Sequence, residues 1–362
     1  VRSCAPRRAS APWRRAWSWA STGATHPWPG RPEPPPTSPV PPGPGSGREA
    51  AAQAPQRAPK DLRVAALTRF AISISAFTVI GHIWLGIETA WAAPVVALLT
   101  SYAVELLLEA LSAWSAGRRP EFLGGVRRCV VFLLPAHISG LAIAMLIYPG
   151  DQLWPFVFAA VVAGGAKHLF RAPLRGRFRH FMNPSNLGIA ATLTLFPWVG
   201  IAIPYQCTSG VSGALNWIIP LAILASGLLL NIQLTGKWPI VLAWMGGFAA
   251  QAVIRALVTD TDPLAALAPM TGVVFPLFTN YMITDPGTTP VRPRDQVVFA
   301  LTAAGLYGLL TGMHVVYGIF YCLIATCLLR GALTWATAWR ERDRAADGAP
   351  APPVRPETRP ER

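Results

Sequence analysis

Ten apolar runs alternate with loops that either carry arginine and lysine or lack both, and this alternation restricts the chain to very few folds. Each run is about 18 to 22 residues long, the length an α-helix needs to cross roughly 30 Å of hydrocarbon. They fall at 64–86, 92–114, 126–148, 153–170, 184–203, 216–235, 238–258, 264–283, 296–313 and 315–335. The even loops carry Arg118, Arg119, Arg127 and Arg128, then Lys167, Arg171, Arg175, Arg177 and Arg179, then Lys237, then Arg292 and Arg294. The odd loops carry only Glu88, Asp151, Asp260 and Asp262. Cytoplasmic loops retain Lys and Arg, so the even loops and both termini are expected inside the cell. A wrong count would scramble the alternation, so count and orientation support each other. The expected fold is an all-α integral membrane protein with about ten transmembrane helices in a lipid bilayer.

Composition agrees: 13% of the 362 residues are charged, against about 25% in soluble domains, too few for an ordinary polar surface. The net charge of +14 would suit nucleic acid, but the basic residues sit in the tails and between apolar runs. That is the pattern of membrane topology, and no nucleic-acid partner is expected. Residues 1–62, rich in proline and arginine, are expected to form a disordered tail, 63–336 the transmembrane domain, and 337–362 a second disordered, charged tail. The five cysteines include no C-x-x-C pair and no Cys/His cluster, so no metal site is expected.

Proline is concentrated at membrane depth, at Pro263, Pro269 and Pro276 in the eighth run, Pro197 and Pro204 at the fifth, and Pro220 in the sixth. Each disturbs a helical hydrogen bond that lipid cannot replace, so broken spans facing protein or a water-filled cavity are expected there. Two loops share one theme. His180-Phe-Met-Asn-Pro-Ser-Asn-Leu-Gly188 and Tyr281-Met-Ile-Thr-Asp-Pro-Gly-Thr-Thr-Pro290 each place Asn or Asp before proline where an apolar run meets arginines. Asp285 with Thr284, Thr288 and Thr289 offers a carboxylate, hydroxyls and freed carbonyls suited to a hard cation or the polar edge of a flavin. Asn183, Pro184, Ser185 and Asn186 offer a similar polar set. For both loops the alternative is simple helix capping.

Glu105 and Glu109, one turn apart in the second run, are expensive in hydrocarbon and mark a proton or cation pathway, with Asp285 as a third member. The alternative is ion pairing, with Arg69 as the expected partner of Glu109. Of the histidines, His82, His137 and His314 sit in or beside runs, and a haem held by two of them is not favoured.

Lys167-His168, Phe181-Met-Asn-Pro-Ser-Asn-Leu-Gly188, Phe196-Pro197 and Met282-Ile-Thr-Asp-Pro-Gly-Thr-Thr-Pro290 together resemble motifs of the RnfD/NqrB-type proteins. These are the flavin-carrying membrane components of the Rnf electron-transport complex and of the sodium-pumping NADH:quinone oxidoreductase. The resemblance spans roughly 64–335. The arginine-rich loop before Asn183 and the Tyr205-Gln206 to Ser212-Gly-Ala segment are similar to shorter actinomycete relatives of the enediyne-biosynthesis UnbU type. The resemblance implies a ten-helix electron-transport subunit in a bacterial plasma membrane, with separate redox or biosynthetic partner proteins at its cytoplasmic face. In the family a Ser-Gly-Ala-Thr motif carries FMN on its threonine. Here that stretch reads Ser212-Gly213-Ala214-Leu215, and leucine has no hydroxyl, so covalent FMN is not expected. A flavin, FMN or riboflavin, would be held non-covalently near the Asn183 and Asp285 loops. The other reading is a transporter of a small solute, cation or natural product on the same scaffold.

Overall fold

A computed structural model describes residues 59–85, 89–174, 177–201, 213–272 and 274–347. Most of the N-terminal tail, Glu88, Arg175 and the Tyr205 to Ser212 segment lie outside them. A helix, whole or broken, stands at each of the ten expected positions. The first four are α1 (Pro59–Ile80, continued by a π turn at Gly81–Leu85), α2 (Ala92–Ser115), α3 (Val126–Leu146) and α4 (Trp154–Leu169). Then follow α5 (Pro184–Leu195), α6 (Leu215–Leu230, with a π turn at Asn231–Thr235) and α7 (Trp238–Thr259). The eighth position holds α8 (Pro263–Leu267), a 3-10 turn (Ala268–Thr271), α9 (Val274–Leu277) and a π turn (Phe278–Met282). The last two are α10 (Pro293–Gly312) and α11 (Gly318–Asp347). The last helix continues past Ala336, into the segment expected as a tail.

Five of these helices are long and apolar enough to cross a membrane, or six if the bent pair at the eighth position is one span. The surface fits that setting. Leu107, Ile254, Leu257, Val258 and Val298 are exposed, whereas Asn186, Thr192, Asn231, Thr279 and Asn280 are wholly buried. A water-soluble fold would reverse this distribution, since exposed apolar patches of that extent are rare on soluble monomers.

The expectation of broken spans holds at two places and fails at a third. At the eighth position the axis turns by 63° between Pro263–Thr271 and Val274–Met282. At the fifth, the helix ends at Leu195, after 12 residues, just before Phe196-Pro197. At 1.5 Å per residue it is about 18 Å long, roughly half of what a full crossing needs. Pro220, in contrast, is accommodated inside α6 without a break.

The all-α expectation needs correcting, because two short antiparallel pairs are present. β1 (Ile147–Tyr148) pairs with β4 (Gly200–Ile201), tying the chain beyond the half-length α5 to the end of α3. β2 (Arg171–Leu174) and β3 (Arg177–His180) form a hairpin in the register Arg171 to His180 and Leu174 to Arg177. Arg171, Arg177 and Arg179, expected to set topology, therefore also belong to a folded element.

Helices meet at glycine. A Cβ on Gly188 would lie 2.3 Å from the Ala159 carbonyl oxygen, and one on Gly164 2.4 Å from Val104 Cγ1. Small residues at crossings let helices approach closely where no hydrophobic effect drives them together. The obstacle at Gly188 is main chain and cannot rotate away, so Gly188→Ala must push α4 and α5 apart. Overpacking of this kind costs about 1–3 kcal/mol. A lowered melting temperature of the detergent-solubilised protein is the expected result, and a melting curve of Gly188→Ala beside the parent chain checks it.

Candidate functional site

The two proline loops meet. Asn183 is the N-cap of α5, and its Oδ1 accepts hydrogen bonds from the Asn186 backbone N–H and from Ser185 Oγ, each at 3.0 Å. Its Nδ2 donates to the Met282 carbonyl oxygen at 2.9 Å, 99 residues along the chain. Helix capping and the bridge to the second loop are thus done by one amide. Asn186, with no exposed surface, donates from Nδ2 to the Phe320 carbonyl at 2.9 Å, while its Oδ1 has no partner.

Asp285 organises the second loop. Its Oδ1 accepts from the Gly287 N–H at 3.1 Å and its Oδ2 from the Thr288 hydroxyl at 2.9 Å. Thr289 donates to the Asp285 carbonyl at 2.7 Å, and the Thr284 hydroxyl bonds the Asn280 carbonyl. Arg330 of α11 donates to the Thr288 carbonyl. Because Asn186 reaches Phe320 and Arg330 reaches Thr288, both loops lie beside the first half of the 30-residue α11.

Below the loops opens a cavity of about 640 Å³. Asn183, Pro184, Ser185, Asp285, Pro286 and Gly287 line it from the loops, and Glu105 and Glu109 from α2. Arg63, Lys167, His168, Arg171 and His180 add positive or titratable groups. Its size falls within the roughly 300–1,000 Å³ of small-molecule sites. Of the expected site residues, Asn186, Thr284, Thr288 and Thr289 are buried behind the wall and brace it.

Both membrane carboxylates are paired. Glu105 Oε2 lies 2.7 Å from Lys167 Nζ, and both side chains are mostly buried. Glu109 is held by Arg118 through contacts of 2.5 and 3.0 Å and by the Glu121 N–H at 2.9 Å. The expected partner Arg69 is replaced by Arg118, because the chain leaving α2 folds back over the end of its own helix. These are the two carboxylate ion pairs among the described residues, so neither Arg63 nor Arg171 is matched by a carboxylate there. The Arg171 carbonyl accepts from Trp335 Nε1 at 3.1 Å, fixing the hairpin to α11.

Sequence reasoning missed Arg330, Lys167 as the partner of Glu105, and the role of His180. A Cβ on Gly287 would stand 2.8 Å from His180 Nε2, which packs the second loop directly on the hairpin. Burial pushes the His180 imidazole below its ordinary value, while the Asp285 carboxylate pulls the other way. The folded state therefore disfavours the charged ring. Its contribution to stability is complete above about pH 6.5 and declines as pH falls from there through the lower folded value. Protection factors of the hairpin amides, corrected for the intrinsic pH dependence of exchange, should fall over that interval, and His180→Gln should flatten the dependence.

The helices, half-helix and polar cavity define a multi-pass helical membrane protein with its candidate site enclosed by the bundle. Residues 204–325, about a third of the chain, match the NQR2, RnfD, RnfE family, which supports kinship with the RnfD/NqrB type, whose members are generally electron-transport subunits. No curated protein matches the chain. The matched stretch contains the Asp285 loop and the start of α11 but not the Asn183 loop, which joins the site through the Asn183–Met282 bond.

Asn183→Asp separates the two tasks of that amide. The carboxylate still caps α5, but the donor to Met282 is lost, leaving that buried carbonyl only the long 3.4 Å bond from the Asp285 N–H, at a cost of about 1 kcal/mol. Faster hydrogen exchange confined to 282–290, with α5 still protected, is the expected outcome.

Proposed function

We propose that this protein is a non-autonomous subunit of a membrane electron-transport assembly, and that its cavity holds a flavin without a covalent bond. In this reading the chain crosses a bacterial plasma membrane ten times with both termini cytoplasmic, and the cavity opens toward the cell interior. Redox partners are separate chains docking at that face. The observation that carries the reading is the convergence of both proline loops on one cavity of about 640 Å³.

The donor set suits such a ligand. Arg63 and Arg171, free of carboxylate partners among the described residues, match the phosphate of FMN. Tyr281 and Phe70, ring centroids 5.3 Å apart, add an apolar aromatic wall. Attachment at the outer turn does not fit, since Leu215 stands where the acceptor threonine would be. Arg63, Arg171 and the Asp285 loop would hold and orient a flavin, which when bound would supply electron-transfer chemistry. The enediyne setting rests on the sequence resemblance alone, with the partners then being biosynthetic enzymes. A transporter of a small solute or cation is the second reading, and Leu215 is what favours it.

Purification in mild detergent followed by a visible spectrum tests the proposal. A flavin band is expected, released into the filtrate on denaturation, and Arg171→Ala or Asp285→Asn should reduce the bound amount several-fold. A colourless protein that takes up neither FMN nor riboflavin overturns it in favour of the transporter.

A further inference from the structure

A second recess opens on the surface of the bundle, away from the two proline loops. It lies between α7 and α10. A Cβ on Gly247 of α7 would stand 2.9 Å from Ala304 Cβ, and one on Gly308 of α10 would stand 2.9 Å from Gln251 Oε1. The two contacts share one offset along the sequence, so the helices run parallel and begin side by side. They meet at these glycines and part toward their first turns, where a groove of about 480 Å³ remains. Lys237, buried just before α7, donates to the Pro290 carbonyl and ties the two helix starts together.

The walls of the groove are apolar and its mouth is cationic. Trp238, Leu242 and Val297 line it and remain exposed, and Arg294 is the charged residue among its lining. The helix α7 is long and apolar enough to cross a membrane, and Trp238 is its first residue. An indole at the end of a span belongs at headgroup depth, so Arg294 stands at the level of lipid phosphates. Arg292 and Arg294 are both exposed, and neither has a carboxylate partner among the described residues. The N-cap side chains, Lys237 and Arg292, accept no hydrogen bond from their helices, so two positive helix ends add to the arginines. Asp295 is the acid of these first turns, and it also lies within electrostatic reach of Arg330.

We propose that this groove binds one anionic phospholipid, with an acyl chain against Trp238, Leu242 and Val297 and the phosphate at Arg294. Basic recesses between transmembrane helices suit acidic headgroups, and here the recess and the charge occur together. A zwitterionic lipid supplies the chain but brings a cation beside its phosphate, which the arginines and the helix ends oppose. Soluble phosphate supplies the charge but leaves the apolar wall uncovered. A lipid of net negative charge answers to both. The inference goes beyond the flavin reading and needs neither cofactor nor redox partner.

Native mass spectrometry of the full chain, purified in mild detergent and stripped of lipid, tests the site. With phosphatidylglycerol and phosphatidylcholine offered at equal concentration, one phosphatidylglycerol should stay bound at collision energies that remove phosphatidylcholine. Arg294→Gln should lower the bound fraction about fivefold, the factor that one arginine contributes at an anionic lipid surface. Leu242→Trp, which fills the groove and leaves the charge alone, should lower it as well. Arg119→Gln, at an exposed arginine after α2, should leave it unchanged. If Leu242→Trp does not elute as the parent protein does, Arg294→Gln decides. Equal retention of the two lipids, an Arg294→Gln variant that holds phosphatidylglycerol normally, an equal loss in Arg119→Gln, or full competition by glycerol phosphate overturns the site. Bound lipid and flavin absorbance are separate readouts, so either proposal can fail while the other stands.

Discussion

Interrupting a helix inside a bilayer frees backbone groups that lipid cannot satisfy, and the structure depends on how this chain satisfies them. It does so largely with asparagine. Asn183 and Asn186 donate to carbonyls of Met282 and Phe320, and Asn231 donates to those of Gly227 at 3.0 Å and Asn280 at 3.2 Å. All are buried. A primary amide is suited to the task because it donates and accepts without carrying charge, so it can bridge two backbone segments without the desolvation cost of an ion. All but the local Asn231–Gly227 bond join segments distant in sequence, and the broken spans are thereby held to one another.

The cavity follows from the same arrangement. Beside the N-terminus of α5 the space between the helices is filled by something other than helix. The β2–β3 hairpin and the Asp285 loop occupy part of it, packed on each other through His180 and Gly287. What remains open is walled by loop backbone, by Glu105 and its Lys167 partner, and by cationic side chains such as Arg171 of the arginine-bearing loop. Topology signal and binding chemistry therefore draw on the same residues.

Much of this was legible in the sequence. Apolar runs located the helices because hydrocarbon imposes a length, and prolines at membrane depth located the breaks at the fifth and eighth positions. The shared Asn/Asp-Pro theme picked out two loops that are in contact. The course of the chain after the break at Phe196-Pro197 was hidden, since the pairing of Gly200–Ile201 with Ile147–Tyr148 leaves no local trace. The Arg118 partner of Glu109 was hidden for a similar reason, because it depends on how the chain turns after α2.

The cavity beside the two proline loops has an electrical consequence. If it opens to water on one side of a bilayer, it carries the conductivity of that aqueous phase into the low-dielectric slab. The membrane voltage then drops over the thickness that remains, and the local field there is steeper than across an unbroken slab.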